Sequence, residues 1–277
     1  MPSELNQKTK LPGGWVSVGL SQDFQIGELN IAVIDDNELV IWRDQNGDVH
    51  AWDNRCPHRG MRFSLGFVRG NHLACLYHGW QFRGDGQCVY TPAIPSLNPP
   101  KSISAHVFCC IEFMGLIWVA NPDAKPEEVT ILKKDVHLSR DYVPIRSLII
   151  QSSSKIITEG LKSIPFPPST WLETHQKSYS EDVKACETRG TFIWEAEGTS
   201  IKATYHMSEL NPGFIKLICK YEDHIDILLL ALQKINIKKT AIHMIFASDR
   251  ESSVPNSLRL AYAKWFKTFR NKIENSF

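Results

Sequence analysis

No stretch of the sequence is apolar for the 18 or so residues that a membrane-spanning helix needs. The longest candidate, Ile225 to Leu232, is short and contains Asp226. Charge of one sign is also scarce. The formal net charge of +1 gives no electrostatic case for nucleic acid or an anionic membrane as the main partner. The opening residues, Met-Pro-Ser-Glu-Leu-Asn-Gln-Lys, are polar with no apolar stretch behind them, so no secretory signal is expected. Seven cysteines are an odd number and show no disulfide framework. Five of them (Cys88, Cys109, Cys110, Cys186 and Cys219) lie in apolar or strand-like surroundings and read as reduced thiols serving as small apolar side chains. Together these absences point to a reducing, cytoplasmic location. No internal repeat or low-complexity tract interrupts the chain. What is present, 277 residues with 43% hydrophobic and 22% charged, suits a globular protein of one large domain or two ordinary ones.

The first half has the punctuation of short strands. Leu39 to Trp42 and Val49 to Trp52 flank Asn46-Gly47, a type I′ hairpin signal because both residues tolerate positive φ. A second hairpin is predicted from Trp80-Gln81-Phe82 and Cys88-Val89-Tyr90 around Gly84-Asp85-Gly86. A third joins Val107–Phe113 to Leu116–Ala120 through Met114-Gly115. Strands this short predict a small antiparallel barrel or sandwich. The polar, proline-containing segment from Asn121 to Glu128 marks a boundary, giving domains 1–120 and 121–277. In the second, residues 147–172 have room for a short helix broken by Pro165, Pro167 and Pro168. Strand-like runs follow at Thr191–Ala196, Ile201–Met207, Phe214–Tyr221 and Ala241–Phe246. From Ser257 to Ile273, Leu258, Ala261, Tyr262, Trp265, Phe266 and Phe269 recur at helical spacing. The opposite, basic face of that helix reads as solvated. The fold class is therefore α+β.

Two motifs carry chemistry: Cys56-Pro57-His58-Arg59-Gly60 and Cys75-Leu76-Tyr77-His78-Gly79-Trp80, with sixteen residues between His58 and Cys75. Each offers one thiolate and one imidazole. Two Cys and two His can also close a tetrahedral zinc site, but structural zinc sites group a Cys pair on one knuckle and a His pair on another element. The interleaving here favours a [2Fe–2S] cluster with two thiolates on one iron and two imidazoles on the other. Such a cluster is less negative than an all-Cys cluster, so its reduction potential is higher and it accepts an electron from a ferredoxin-like or flavin donor. Gly60 and Gly79 suit loops whose backbone N–H groups approach the sulfurs. Trp80 reads as core packing rather than as an electron relay.

With Cys-Pro-His-Arg-Gly, Leu-Ala-Cys-Leu-Tyr-His-Gly-Trp and the hairpin ahead of Tyr90-Thr91-Pro92-Ala93, residues from about 14 to 120 resemble the Rieske domain of the Rieske non-haem iron oxygenases, the ring-hydroxylating and demethylating enzymes. Residues 59–61, Arg-Gly-Met, bring no additional cysteine, so respiratory-complex Rieske proteins with a loop disulfide are a poorer match. The resemblance implies an N-terminal all-β Rieske domain and then a shortened helix-grip domain, an antiparallel sheet with a C-terminal helix. In the family that second domain holds a mononuclear iron on two His and one carboxylate. Aligned on Glu159 and Pro165, this chain has Ser163 in place of the family's Asp, Phe166 in place of its first His and Trp171 in place of its second. None of the three can act as its counterpart does. Asp249 and Glu251 read as surface charges. His175, His206, His224 and His243 read as satisfied core or surface histidines, the alternative being a rebuilt site with His206 and His243 on strands that face one cavity.

The sequence thus implies a Rieske cluster on Cys56, His58, Cys75 and His78, no mononuclear iron, and no catalytic residues of the chain's own. The leading expectation is an electron-transfer subunit of a trimer-based hetero-oligomer, reduced by a reductase or ferredoxin and passing electrons to a partner oxygenase subunit that carries the mononuclear iron. A self-sufficient oxygenase with an atypical iron site and a stand-alone redox carrier or sensor remain as alternatives. The substrate is not legible.

Overall fold

The computed structural model describes residues 11, 14–125, 142–174, 186–188, 191–196, 199–249 and 254–275. The chain divides into two compact units, Met1–Ile131 and Leu132–Phe277.

The first unit is built from ten strands: β1 (Val16–Leu20), β2 (Leu29–Ile34), β3 (Asn37–Arg43), β4 (Val49–Asp53), β5 (Phe67–Arg69), β6 (His72–Ala74), β7 (Gln81–Arg83), β8 (Cys88–Tyr90), β9 (Val107–Phe113) and β10 (Leu116–Ala120). They form a six-stranded sheet, β1-β10-β9-β4-β3-β2, and a four-stranded sheet, β5-β6-β7-β8, with every strand pair antiparallel. The period of two along a strand explains how one sheet serves two cores. Leu39 and Ile41 of β3 join a core with Ala51, Phe108, Ile117 and Val119. Val40 and Trp42, one residue out of phase, join a second core with Trp52, Phe63, Leu73, Phe82, Cys56 and Cys75. The second core is an aromatic wedge. Trp52 meets Trp42, Phe63 and Phe82 edge to face, with ring centroids 5.1, 5.4 and 6.4 Å apart, an arrangement that the ring quadrupoles favour.

The turns differ from the sequence reading in one instructive way. β3 and β4 pair as predicted, but their last register pair is Arg43 with Val49, which leaves a five-residue loop. The Asp44 carboxylate accepts from the backbone N–H groups of Asn46 and Asp48 at 2.9 and 3.0 Å. Gly47 alone in that loop takes a positive φ, +90°. A side chain that bridges the loop thus displaces the two-residue turn that Asn-Gly suggested. The two-residue turns with both φ positive are Asp35-Asp36, between β2 and β3, and the predicted Met114-Gly115.

The second unit is a seven-stranded antiparallel sheet in the order β11-β17-β16-β15-β14-β13-β12. Its strands are β11 (Val143–Ile150), β12 (Cys186–Thr188), β13 (Thr191–Ala196), β14 (Thr199–Asn211), β15 (Phe214–Tyr221), β16 (His224–Asn236) and β17 (Lys239–Ser248). Three helices accompany it: α1 (Ser154–Ser163), α2 (Ser169–Thr174) and α3 (Asn256–Asn275). The α+β class read from the sequence holds. α3 buries Leu258, Ala261, Tyr262, Trp265, Phe266, Phe269 and Ile273 against Leu228, Leu230, Ile242, Met244 and Phe246 of the sheet. Burial of each large apolar side chain is worth about 1.5–3 kcal/mol. α1 opens on Ser153, whose Oγ accepts from the Ile156 N–H, and closes just before Pro165. The short helix for which residues 147–172 have room is α1, and residues 147–150 before it are strand, because their backbone pairs with Thr240 to His243. The apolar run at 225–232 is the middle of β16, buried on successive residues because both faces of the strand are covered.

Candidate metal centre

The two cysteine-histidine loops share one backbone design. In the first, the Gly60 N–H donates to the Cys56 carbonyl and the Cys56 N–H to the Met61 carbonyl, both at 2.8 Å. In the second, Gly79 donates to Cys75 at 3.0 Å and Cys75 to the Trp80 carbonyl at 2.9 Å. Each loop therefore closes four and five residues after its cysteine. Each closes through a left-handed glycine, Gly60 at φ +70° and Gly79 at φ +69°. That conformation costs any residue with a Cβ, which is why glycine stands at both positions. The loops' backbone N–H groups approach the sulfurs, as the sequence led one to expect. The N–H groups of His58 and Arg59 point at the Cys56 sulfur, and those of Tyr77 and His78 at the Cys75 sulfur. The glycine N–H groups are spent on loop closure.

The loops bring the four sequence-predicted residues together as two pairs. Cys56 and Cys75 are buried against the aromatic wedge and within hydrogen-bond reach of each other. His58 and His78 lie toward solvent, half-buried and exposed respectively, with ring centroids 4.6 Å apart. Sharing a proton with Cys56 and accepting backbone N–H bonds pulls the Cys75 thiol down to about 6. The partner sulfur keeps the shared proton, which with burial pushes Cys56 upward. Burial, followed by the neighbouring His78 and Arg59, lowers the His58 imidazole below its ordinary value. Metal ligation needs deprotonated thiols and neutral imidazoles; the shared hydrogen bond favours the Cys75 thiolate and burial favours neutral His58.

A two-iron cluster takes its ligands in two pairs, sulfur with sulfur and nitrogen with nitrogen, and the donor set fits that group. Cys56 and Cys75 would hold the inner iron, and His58 and His78 the outer one.

Two neighbours of the site were not legible as such. Trp80 is half-buried rather than simply core, and its indole lies parallel to the His58 imidazole, 4.1 Å between centroids and 7° between planes. Pro92, from the loop after β8, abuts the second ligand loop: a Cβ on Gly79 would lie 2.9 Å from its Cγ. Only the motif Cys-x-x-His-Gly-Trp, which puts an aromatic next to the ligand loop, hinted at the first.

The second unit shows the surroundings of Ser163, Phe166 and Trp171, the residues matched to the family's Asp and two His. The Ser163 Oγ donates to the Gly160 carbonyl of its own helix at 3.2 Å. Phe166 and Trp171 are each 1% exposed. Phe166 packs edge to face on Tyr205 and Trp265, with centroids at 5.5 and 6.3 Å. His206 and His243 do not share a cavity. His206 is exposed, whereas His243 is buried between the Ser147 hydroxyl at 2.8 Å and the Gln233 amide oxygen at 2.9 Å. Burial pushes His243 down to about 4, so it is a neutral, satisfied core histidine. The Asp249 carboxylate accepts from the Ile225 N–H and lies 3.6 Å from His224. His175 and Glu251 lie outside the described residues. Asp226, noted in the sequence only as an interruption, is fully buried. It accepts from the Ser169 N–H at 2.7 Å and the Ser169 hydroxyl at 3.1 Å, with Tyr262 at 3.5 Å. A lone acid within an apolar run was the available signal.

The four-stranded sheet and the pair of matched ligand loops lie within residues 14–101, which match the Rieske [2Fe-2S] domain family. Over most of its length the chain shares its fold with solved monooxygenase and demethylase structures. It superposes on dicamba monooxygenase bound to dicamba with a TM-score of 0.73 and 18% identity, covering 95% of this chain and 86% of that one. It superposes on NdmA of Pseudomonas putida with a TM-score of 0.66 and 20% identity, covering 95% and 81%. In sequence it is 30% identical to the oxidoreductase NdmD of Pseudomonas putida over 210 residues, 72% of this chain. That likeness runs well past the Rieske segment into the second unit. The chain spans 36% of the length of NdmD. No helix among the described residues is long and apolar enough to cross a membrane.

Proposed function

We propose that the chain is the electron-transfer subunit of a Rieske-type oxygenase system. Cys56 and Cys75 ligate one iron, and His58 and His78 the other. The cluster takes one electron at a time from a reductase or ferredoxin and delivers it to a mononuclear iron on a partner subunit, within a trimer-based hetero-oligomer. The observation that carries this reading is the replacement of both family histidines by Phe166 and Trp171, side chains without a lone pair for a metal, packed as core where an oxygen-activating site would need open space. The inner thiolates anchor the cluster over the wedge of Trp42, Trp52, Phe63 and Phe82, which excludes water from that side. The outer imidazoles leave its other edge within reach of a partner.

The test is the iron and acid-labile sulfide content of the purified protein, together with electron paramagnetic resonance of the reduced form. Two irons and two sulfides per chain, with a Rieske-type spectrum lost in C56S and in H78A, are expected. A third iron, or oxygen-dependent substrate turnover by this chain with a reductase alone, refutes the subunit assignment. Co-expression with an oxygenase chain bearing the facial triad should yield a mixed complex; a stable and solely homomeric protein counts against it.

A further inference from the structure

Charge is segregated along the second unit rather than mixed. β16 and β17 form a long hairpin, with strands of 13 and 10 residues. One end of it is acidic: Glu222 and Asp223 are exposed in the turn before β16, and Asp249 follows β17 with His224 3.6 Å away. The other end is cationic. Residues 234–239 hold Lys234, Lys238 and Lys239 and no carboxylate. The two ends lie about 40 Å apart at the rise of an extended strand, a polarity that the chain's net charge of +1 conceals. Two carboxylates on neighbouring elements are already engaged: Glu209 accepts from the Gly213 N–H, and Glu274 accepts from the Gln151 N–H with Arg270 3.9 Å away.

The cationic end also projects. The register of β15 on β16 ends with Phe214 opposite Ala231, and β16 continues to Asn236, about 16 Å further. On the other flank β11 ends with Ile150 opposite Thr240. The apex is firmly built: Asn236 pairs with Lys239, and the Asn236 Oδ1 accepts from the Lys238 N–H at 2.9 Å. At that apex stands Ile237, 72% exposed, more than any other large apolar side chain among the described residues. Turn chemistry does not call for it, since tight turns favour Gly, Asn, Asp or Ser and Asn236 already supplies the bridging carbonyl. Core packing does not call for it either.

We propose that the tip of the β16–β17 hairpin rests on an anionic lipid surface, with Ile237 entering the headgroup layer and Lys238 and Lys239 lying against the lipid charges. Two observations choose lipid over protein. A convex tip with one apolar side chain covers far less than the roughly 800 Å² per partner that a specific protein interface needs, whereas a lipid surface closes round whatever enters it. The acidic residues lie at the opposite end of the same hairpin, so an anionic surface attracts one end, repels the other and orients the unit tip first. Contact through a single hairpin is weak and reversible. The proposal does not depend on the role of the iron–sulfur centre.

The experiment is co-sedimentation of the cluster-loaded full chain with vesicles, either phosphatidylcholine alone or equal parts phosphatidylcholine and phosphatidylglycerol. Wild type should partition onto the anionic vesicles at low NaCl, stay off the neutral ones, and be released as salt screens the surface. K238E/K239E should lower the partition by roughly tenfold or more, because each lysine near an anionic surface contributes several-fold. I237S should lower it several-fold, and I237W should raise it, since tryptophan favours the membrane interface. A gain in I237W cannot come from misfolding. All three variants should keep the wild-type melting temperature, their side chains lying outside the core. Failure of wild type to bind either vesicle overturns the proposal, and so does binding that is indifferent to K238E/K239E and to I237W. Retention on polyglutamate beads that K238E/K239E abolishes, without vesicle binding, gives the tip to an acidic protein and overturns the lipid reading as well.

Discussion

Gly60 and Gly79 offer a controlled comparison within one molecule. Both close a ligand loop four residues after its cysteine, and their φ values differ by a single degree. Their surroundings differ. A Cβ on Gly60 meets nothing within 4 Å, whereas a Cβ on Gly79 meets Pro92 Cγ at 2.9 Å. The substitution G60A should therefore incur only the left-handed backbone penalty, about 1 kcal/mol. G79A should incur that penalty and an overpacking cost of about 1–2 kcal/mol more. For a unit of this size, 1 kcal/mol corresponds to a shift of about 4 °C in Tm. G60A should melt about 4 °C below wild type and G79A about 8–12 °C below. P92A should return G79A to the level of G60A while leaving G60A itself unchanged, a coupling of about 1 kcal/mol or more between residues in contact. The assay is thermal bleaching of the cluster's visible absorbance, with far-ultraviolet circular dichroism as a second probe of the same unit. Equal losses in the two glycine variants, or no rescue by P92A, would refute the claim that Pro92 buttresses the second loop.

Two further expectations concern groups away from the ligands themselves. Burial raises the pKa of Asp226 above its ordinary 3.8, against the pull of hydrogen bonds from Ser248, Ser169 and Tyr221. Its proton is therefore held to higher pH in the folded chain than in the unfolded one. The stability it contributes is fully present below about pH 4 and is lost as pH rises through the folded value. Urea midpoints of the second unit should follow that course in wild type and lose it in D226N; an identical pH slope in the variant would assign the effect to another group. The parallel stack of Trp80 on His58 should fix the orientation of an outer ligand. W80A should broaden or shift the g-values of the reduced cluster while W80F largely restores them, and an unaltered spectrum in W80A would reduce Trp80 to packing.

Several features were legible in the sequence because they are local. The ligand set, its interleaved order and the two glycines follow from chemistry that acts over a few residues: thiolate and imidazole donors, and a left-handed turn that tolerates no Cβ. The hairpins of β7 with β8 and of β9 with β10, and the apolar stripe of α3, followed from periods of two and 3.6. Local chemistry also misled. Asn46-Gly47 signalled a two-residue turn, and the bridging carboxylate of Asp44 imposed a longer one.

What the sequence determined by itself was the identity of the donors and the presence of Phe and Trp at 166 and 171, since a residue type either offers a lone pair or does not. What only the tertiary structure decided was where those donors and substitutes lie. Two loops sixteen residues apart became equivalent arms with sulfur paired inward and nitrogen outward. Trp80 was laid on His58, Pro92 was set behind Gly79, and Phe166 and Trp171 were placed in a closed aromatic core. Each of these is a contact between segments distant in sequence, fixed by burial and close packing that no short-range pattern encodes.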